Sequence, residues 1–186
     1  SHVDSPRIDL KQNPLYEEDG ISLLKTHYYG GVRKYQWVTH PLALYGTVVK
    51  ANGEVLDIAI GDDINDPVFY ITDLLPHLAK DQNDKKLGEA IEGEGLNVII
   101  GSLPAEGKED EKKFKHNVLK ILNEKYGMIE EDFQTAEFEI VPAGSSRDVG
   151  IDRGMIAAYG HDDRVCAYTS LKAVFEVENN DKAAVA

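Results

Sequence analysis

The chain has 186 residues, which is enough to bury one large hydrophobic core or two small ones. Its formal net charge of −13 argues against partners such as nucleic acid or an anionic membrane, because both attract basic patches. The single cysteine, Cys166, excludes an internal disulfide and a cysteine-rich zinc site, and no apolar run approaches the roughly 20 residues that span a bilayer, so we expect a cytoplasmic protein.

Strand patterns dominate the first part of the chain. Residues Arg7 to Lys11 alternate polar and apolar side chains and predict a strand, which an Asn13-Pro14 turn is expected to end. Ile21 to Tyr29 predicts a second strand, and the acid pair Glu17-Glu18 before it is typical of a polar turn. This stretch therefore predicts two strands separated by turns.

A tight hairpin is predicted next. Segments 42–50 and 54–60 both favour strands, and the intervening Ala51-Asn52-Gly53 supplies the positive φ angles that a short turn needs. Segment 61–66 is acidic, but it lacks the alternating acids, central glycine and distal glutamate of a calcium-binding EF-hand loop. We therefore expect it to be an ordinary polar loop.

The middle of the chain contains shorter patterns. Val68 to Ile71 predicts a short strand, and Leu74 to Ala79 predicts a short helix that Thr72 or Asp73 would cap. Leu96 to Gly101 is an almost continuous apolar run, which is typical of a buried strand. The sequence thus predicts a strand-rich region with few helices.

The clearest helix pattern spans Lys108 to Tyr126, where apolar residues form one stripe and Gly127 marks the C-terminus. Glu130-Glu131 is typical of the start of a short helix, and Thr135 to Val141 alternates like a strand. A second helical run starts near Asp162. Helices and strands together predict an α+β fold.

The two ends of the chain carry residues with metal-binding chemistry. Asp162 and Asp163 stand at the predicted helix N-terminus, where the helix dipole favours negative charge. His2 and Asp4 are two residues apart, so in an extended segment they point to the same side, and an acid often orients a metal-binding imidazole in this way. Taken alone, the acid pair is also explained by an N-cap aspartate with a solvated neighbour, and the histidine by a surface position.

Together these segments resemble the aspartyl aminopeptidase (aminopeptidase I) family of two-zinc metallopeptidases. The resemblance covers nearly the whole chain, and its motifs occur in a fixed order. The matching segments are His2-Val3-Asp4-Ser5-Pro6, Tyr29-Gly30-Gly31, Trp37, Pro41-Leu42-Ala43-Leu44, Gly46, Val141 to Gly144, Arg147 to Arg153 and Ala158 to Thr169.

The resemblance implies a site in which an aspartate and a water bridge two zinc ions. Such a pair of metals lowers the pKa of the water and stabilises the tetrahedral oxyanion. By position, His2 matches the histidine that binds one zinc, Asp4 the acid that orients it, and Asp162 the bridging aspartate. Asp163 is expected to be structural.

The family also uses a glutamate pair that follows the bridging aspartate, one as general base and one as zinc ligand. The acid pairs of this chain, Glu17-Glu18 and Glu130-Glu131, both precede Asp162 and therefore match neither role. We expect the chain to be a piece of a longer peptidase, inactive by itself. It would comprise two strips of an α/β zinc-peptidase catalytic domain, residues 1–11 and 145–186, around an inserted domain at 12–144.

In the resembled family this insert is a dimerisation and lid domain within a larger, typically dodecameric, assembly. The resemblance implies peptide substrates, self-association, and a histidine that reaches a neighbouring subunit's site, which matches His77. The alternative for His77 is a surface histidine, and the alternative for the polypeptide is a stand-alone oligomerisation module without catalysis. The 32–40 segment around Trp37 departs from the better-known members, so a strict preference for acidic N-terminal residues does not follow.

Overall fold

The computed structural model describes residues 2–107, 112–178, 182–183 and 185. The chain divides into two compact units, which we call the terminal unit (Ser1–Pro6 with Ser145–Ala186) and the sheet unit (Arg7–Gly144). The sequence predicts boundaries at 11/12 and 144/145, and the division into catalytic strips and an inserted domain stays a prediction. A strand begins at Arg7 and continues beyond residue 11.

The sheet unit is built on one six-stranded antiparallel sheet. The strands lie in the order β4-β3-β6-β1-β2-β5. They are β1 (Arg7–Glu18), β2 (Ile21–Tyr29), β3 (Leu42–Val49), β4 (Val55–Ile60), β5 (Val98–Gly101) and β6 (Ala136–Pro142). Strand β2 and the β3–β4 hairpin confirm the predicted strands, and β6 confirms the strand predicted just before residue 142.

The first and last strands of the sheet unit are neighbours. Ile8 of β1 is paired with Ile140 of β6, and Asp9 with Glu139. The chain therefore enters and leaves this unit at adjacent positions of one sheet. An excursion of this kind was expected from the sequence, because His2 and Asp162 are 160 positions apart (162 minus 2) and can share a site only if the intervening chain returns.

One face of the sheet is buried. Alternate residues of each strand point to the same side, so a strand with one covered face alternates buried and exposed side chains. Ile8, Leu44, Val48, Ile58 and Ile140 are all at most 4% exposed. They form the core of the sheet unit together with residues from the connecting segments.

Helix α3 (Lys113–Tyr126) packs against strands β1, β2 and β5 of the sheet. The sheet unit also contains two short helices, α1 (Lys80–Asn83) and α2 (Leu87–Ala90), and 3-10 segments at Lys34–Gln36, Gly93–Gly95 and Glu130–Thr135. Helix α3 buries Val118 and Leu122 and ends at Gly127, whose φ of 62° lies in the left-handed region that glycine adopts easily. This confirms the predicted helix over its described part, since residues 108–111 lie outside the described residues.

Three local predictions were wrong. Leu74 to Ala79 is irregular with a turn at 76–78, and its leucines are exposed instead of packing as a helix stripe. Asn13-Pro14 does not end a strand: β1 continues through it with a register shift between Leu10 and Leu15, and Pro14 is buried. Glu17-Glu18 ends β1 instead of forming a turn, since both residues are paired with β2, Glu17 with Ser22 and Glu18 with Ile21.

The terminal unit contains a small hairpin and one long helix. Its strands are β7 (Arg147–Val149) and β8 (Met155–Ala157), and helix α4 spans His161–Phe175. Apolar side chains along α4 are exposed, among them Val165, Tyr168, Leu171 and Phe175. Within the described part of the chain, no helix is both long enough and apolar enough to cross a membrane.

Candidate metal centre

Three possible metal ligands meet in the terminal unit. One ligand atom from each of His2, Asp162 and Asp163 lies within 4.8 Å of the other two. His2 and Asp162 are exposed, whereas Asp163 is buried, with 2% of its surface accessible. The structure thus brings together the two metal ligands predicted from the sequence, His2 and Asp162, and adds Asp163.

The two aspartates are positioned by an irregular start to helix α4. Gly160 precedes the helix with a φ of 88°, a left-handed conformation that suits glycine. Asp162 and Asp163 have non-helical backbone angles, with φ and ψ of −91° and 100° for the first and −125° and 23° for the second, and the peptide bond between them is cis. The backbone angles of Asp162 are those of a residue that precedes a regular helix, so they remain compatible with the N-cap interpretation.

Side-chain contacts hold the N-terminal segment next to these aspartates. The Tyr159 hydroxyl donates to the Pro6 carbonyl at 2.8 Å, and the backbone amide of Asp163 donates to the Ser5 hydroxyl at 3.3 Å. On the other side, a ring nitrogen of His161, Nε2, lies 3.1 Å from the Ile156 carbonyl. His161 is thereby engaged with strand β8 and lies outside the three-residue cluster.

The donor set fits a zinc ion. Nδ1 of His2 contacts Oδ2 of Asp163, and this buried oxygen has no hydrogen-bond partner among the described residues. A buried carboxylate is costly unless it is hydrogen-bonded, paired or bound to a metal, and the group beside this one is an imidazole, which can pair with it or share a metal ion with it. Imidazole nitrogen and carboxylate oxygen are both ordinary zinc ligands. The cluster therefore has the chemistry of a metal centre.

Asp4 and Asp163 lie differently with respect to the cluster. Asp4 is exposed and lies outside the cluster, so its orienting role remains a prediction. Asp163 is expected to be structural, which stays a prediction, and its carboxylate contacts His2. No signal in the sequence distinguishes the buried acid of an adjacent pair from the exposed one, because that depends on the irregular backbone at residues 162 and 163.

His77 belongs to the sheet unit. It lies in an exposed turn, and three neighbouring leucines, Leu74, Leu75 and Leu78, are 56%, 66% and 69% exposed. The role expected for His77 requires a neighbouring subunit, so it too remains a prediction.

Comparison with known proteins identifies a family for the chain. The family model described as "Aminopeptidase I zinc metalloprotease (M18)" matches residues 1–186. The chain is 56% identical over 185 residues to "Probable M18 family aminopeptidase 1" of Clostridium acetobutylicum, covering 100% of this chain and 40% of that protein. The corresponding Thermotoga maritima protein is 55% identical over 174 residues, covering 94% and 38%.

Solved structures give the same result. The crystal structure of the M18 aminopeptidase from Thermotoga maritima matches with a TM-score of 0.87 at 53% identity, over 95% of this chain and 39% of that one. Aminopeptidase I from Clostridium acetobutylicum matches with a TM-score of 0.86 at 54% identity, over 97% and 40%. A dodecamer of yeast mApe1 shares the fold, with a TM-score of 0.59 at 18% identity. The chain spans about 40% of the length of the curated relatives it matches.

Proposed function

The chain belongs to the M18 family of aminopeptidase I zinc metalloproteases, and from that membership we propose that it is part of an enzyme that removes N-terminal residues from peptides. The observation that carries this proposal is the meeting of His2, Asp162 and Asp163 in one cluster. Because the chain spans about 40% of the length of its relatives, the activity is proposed for the longer protein that contains it. We also propose that the longer protein is cytoplasmic, as expected from the sequence.

We assign His2 and Asp162 as the residues that would hold zinc. Asp162 would bridge two ions in the complete site, and Asp4 would orient the His2 imidazole, as the family resemblance implies. Bound zinc supplies Lewis acidity and a nucleophilic water at neutral pH. The contribution of this chain is to hold one imidazole and one carboxylate close together, with the buried carboxylate of Asp163 within 4.8 Å of both.

We further propose that the 186-residue polypeptide has no peptidase activity by itself. No glutamate belongs to the cluster in the described part of the chain, so the cluster offers no general base of the kind that the family uses. Amide hydrolysis needs such a group within hydrogen-bond reach of the attacking water. Mixing the polypeptide with a peptide and zinc should therefore release no N-terminal residue.

The activity is tested in the longer protein with a set of amino-acyl p-nitroanilides. His2→Ala and Asp162→Asn should each lower kcat/KM on the order of 100-fold or more, because even residues that only support a metal ligand contribute 10- to 100-fold. His40→Ala is the matched control, since His40 is exposed and belongs to the sheet unit. Equal activity in all three variants would exclude the assigned site.

A second function, self-association through the sheet unit, is supported by one observation. The exposed leucines around His77 form an apolar surface on a turn, and apolar surface of this kind often marks a contact with another protein. We propose that this surface pairs two copies of the chain, and that His77 then acts at the partner's site. In the longer protein, His77→Ala should lower kcat without dissociating the assembly.

A further inference from the structure

The segment that carries His2 has no regular structure of its own. Residues 2–6 belong to no strand or helix, and the sheet begins only at Arg7. A histidine on an extended segment would sample many positions, and a metal ligand must be held in one of them. The contacts that hold this segment therefore decide how well His2 is placed.

Tyr159 fixes the far end of the segment. Its hydroxyl donates to the Pro6 carbonyl at 2.8 Å, and the tyrosine side chain is half-buried just before helix α4. The proline ring limits the backbone of Pro6 and also disfavours the helical conformation at Ser5. Anchoring the Pro6 carbonyl thus fixes the end of the segment whose backbone is restricted at Ser5 and Pro6.

Ser5 ties the same segment to the aspartate pair. Its hydroxyl accepts the backbone amide of Asp163 at 3.3 Å, and the carboxylate of the same aspartate contacts His2 Nδ1. Asp163 is therefore connected to the N-terminal segment through both its backbone and its side chain. The two contacts can form together only when the segment lies along the start of helix α4.

We propose that Tyr159 and Ser5 act as positioning residues that hold His2 in place for metal binding. The proposal rests on the proposed function of the His2, Asp162 and Asp163 cluster. Neither hydroxyl belongs to the cluster itself, so each acts through the backbone that it holds. Without them, a smaller fraction of molecules has His2 beside the aspartates, and the apparent metal affinity falls by that fraction.

The test is a titration of the 186-residue chain with Co²⁺, followed by its visible absorption. Tyr159→Phe and Ser5→Ala should each raise the Kd for Co²⁺ roughly threefold to tenfold, the range expected for one lost hydrogen bond. Ser5→Thr keeps the hydroxyl and should restore the affinity. Tyr168→Phe removes an exposed phenol hydroxyl from the same unit and should leave the affinity unchanged.

Circular dichroism without metal shows whether each variant is folded. If Tyr159→Phe is not folded, the comparison of Ser5→Ala with Ser5→Thr tests the proposal. The proposal is overturned if the Tyr159→Phe and Ser5→Ala affinities lie within twofold of the unsubstituted chain, or if that chain binds no Co²⁺. The assay is independent of peptidase activity. A longer protein that cleaves no peptide, with a Co²⁺ affinity that depends on Tyr159, would refute the proposed function and support the positioning role.

Discussion

At the scale of single residues, substitutions of Ser22 and Thr26 on one strand should change the free energy of unfolding in opposite directions. Both side chains are buried in β2, and Ser22 Oγ has no hydrogen-bond partner among the described residues, whereas Thr26 Oγ1 donates to the Leu96 carbonyl. A buried polar group without a partner costs about 1–3 kcal/mol. Ser22→Ala should therefore raise the free energy of unfolding by about 1 kcal/mol, and Thr26→Val should lower it by about 1 kcal/mol. Urea unfolding with an unchanged m-value measures both, and a loss of stability in Ser22→Ala would contradict the assignment.

Tyr45 gives a prediction at alkaline pH. Burial raises the pKa of the Tyr45 phenol, and the carboxylates of Asp62 and Asp66 raise it further. Because the folded pKa is above the unfolded one, the stabilisation is complete below the unfolded pKa of about 10 and is lost as the pH rises through the folded pKa. The free energy of unfolding should fall less steeply above about pH 10 in Tyr45→Phe than in the unsubstituted chain. Parallel urea curves between about pH 8 and 11 test this, and identical slopes would refute it.

At the scale of secondary structure, helix α3 is capped from a distant strand. No side chain of its own N-cap residue, Lys112, forms a capping bond, but Glu17 of β1 accepts the amides of Phe114 and Lys115, both at 2.9 Å. Glu17 therefore supplies both an acceptor and the negative charge that a helix N-terminus favours. Glu17→Ala should lower the free energy of unfolding by about 1–2 kcal/mol. Urea unfolding followed by far-ultraviolet circular dichroism, which reports helix content, measures this change. Glu18→Ala is the control, because Glu18 is the exposed neighbour, and an equal cost in both would argue against capping.

The contact between β3 and β6 depends on the absence of a side chain at residue 46. A Cβ on Gly46 would lie 2.3 Å from the Glu137 carbonyl oxygen and 2.4 Å from Cδ1 of Phe138, too close for either to remain in place. Gly46→Ala should therefore lower the free energy of unfolding by about 1–3 kcal/mol, the usual cost of overpacking. Gly31→Ala is the control, because nothing lies within 4 Å of a Cβ built there. Chemical denaturation of both variants would show whether the cost is specific to residue 46.

At the scale of the whole molecule, the exposed leucines predict an assembly. Light scattering on the 186-residue chain should give the mass of a dimer, and Leu75→Asp should shift it to a monomer by placing a charge in the apolar contact. Ile64→Asp is the control, because Ile64 is 89% exposed on a different loop. A monomeric unsubstituted chain, or equal dissociation by both variants, would contradict the proposed contact.

The local patterns of the sequence predicted much of this fold. Asn52-Gly53 predicted the β3–β4 hairpin, and the apolar stripe ending at Gly127 predicted α3, because both depend only on neighbouring residues. The leucines at 74, 75 and 78 misled the prediction, since an apolar run forms a helix only when a core lies beside it. At Pro14 the reverse happened: the register shift in β1 accommodates a residue that usually ends a strand.

Only part of the candidate site was predictable from the sequence. His2 and Asp162 were found through the order of motifs along the chain, and the structure brings them together. The burial of Asp163 and the anchoring by Tyr159 were not predictable, because each depends on contacts between segments more than 150 positions apart, as between Tyr159 and Pro6 (159 minus 6). Local patterns contain no information about such contacts.

The pairing of Ile8 with Ile140 has a consequence for protein engineering. Adjacent strands lie about 5 Å apart, so the sheet unit begins and ends at nearly the same point in space. A domain whose termini are close together can be inserted into a surface loop of an unrelated protein without separating the two ends of that loop. Residues 7–144 are therefore a suitable segment to insert into another protein as one unit.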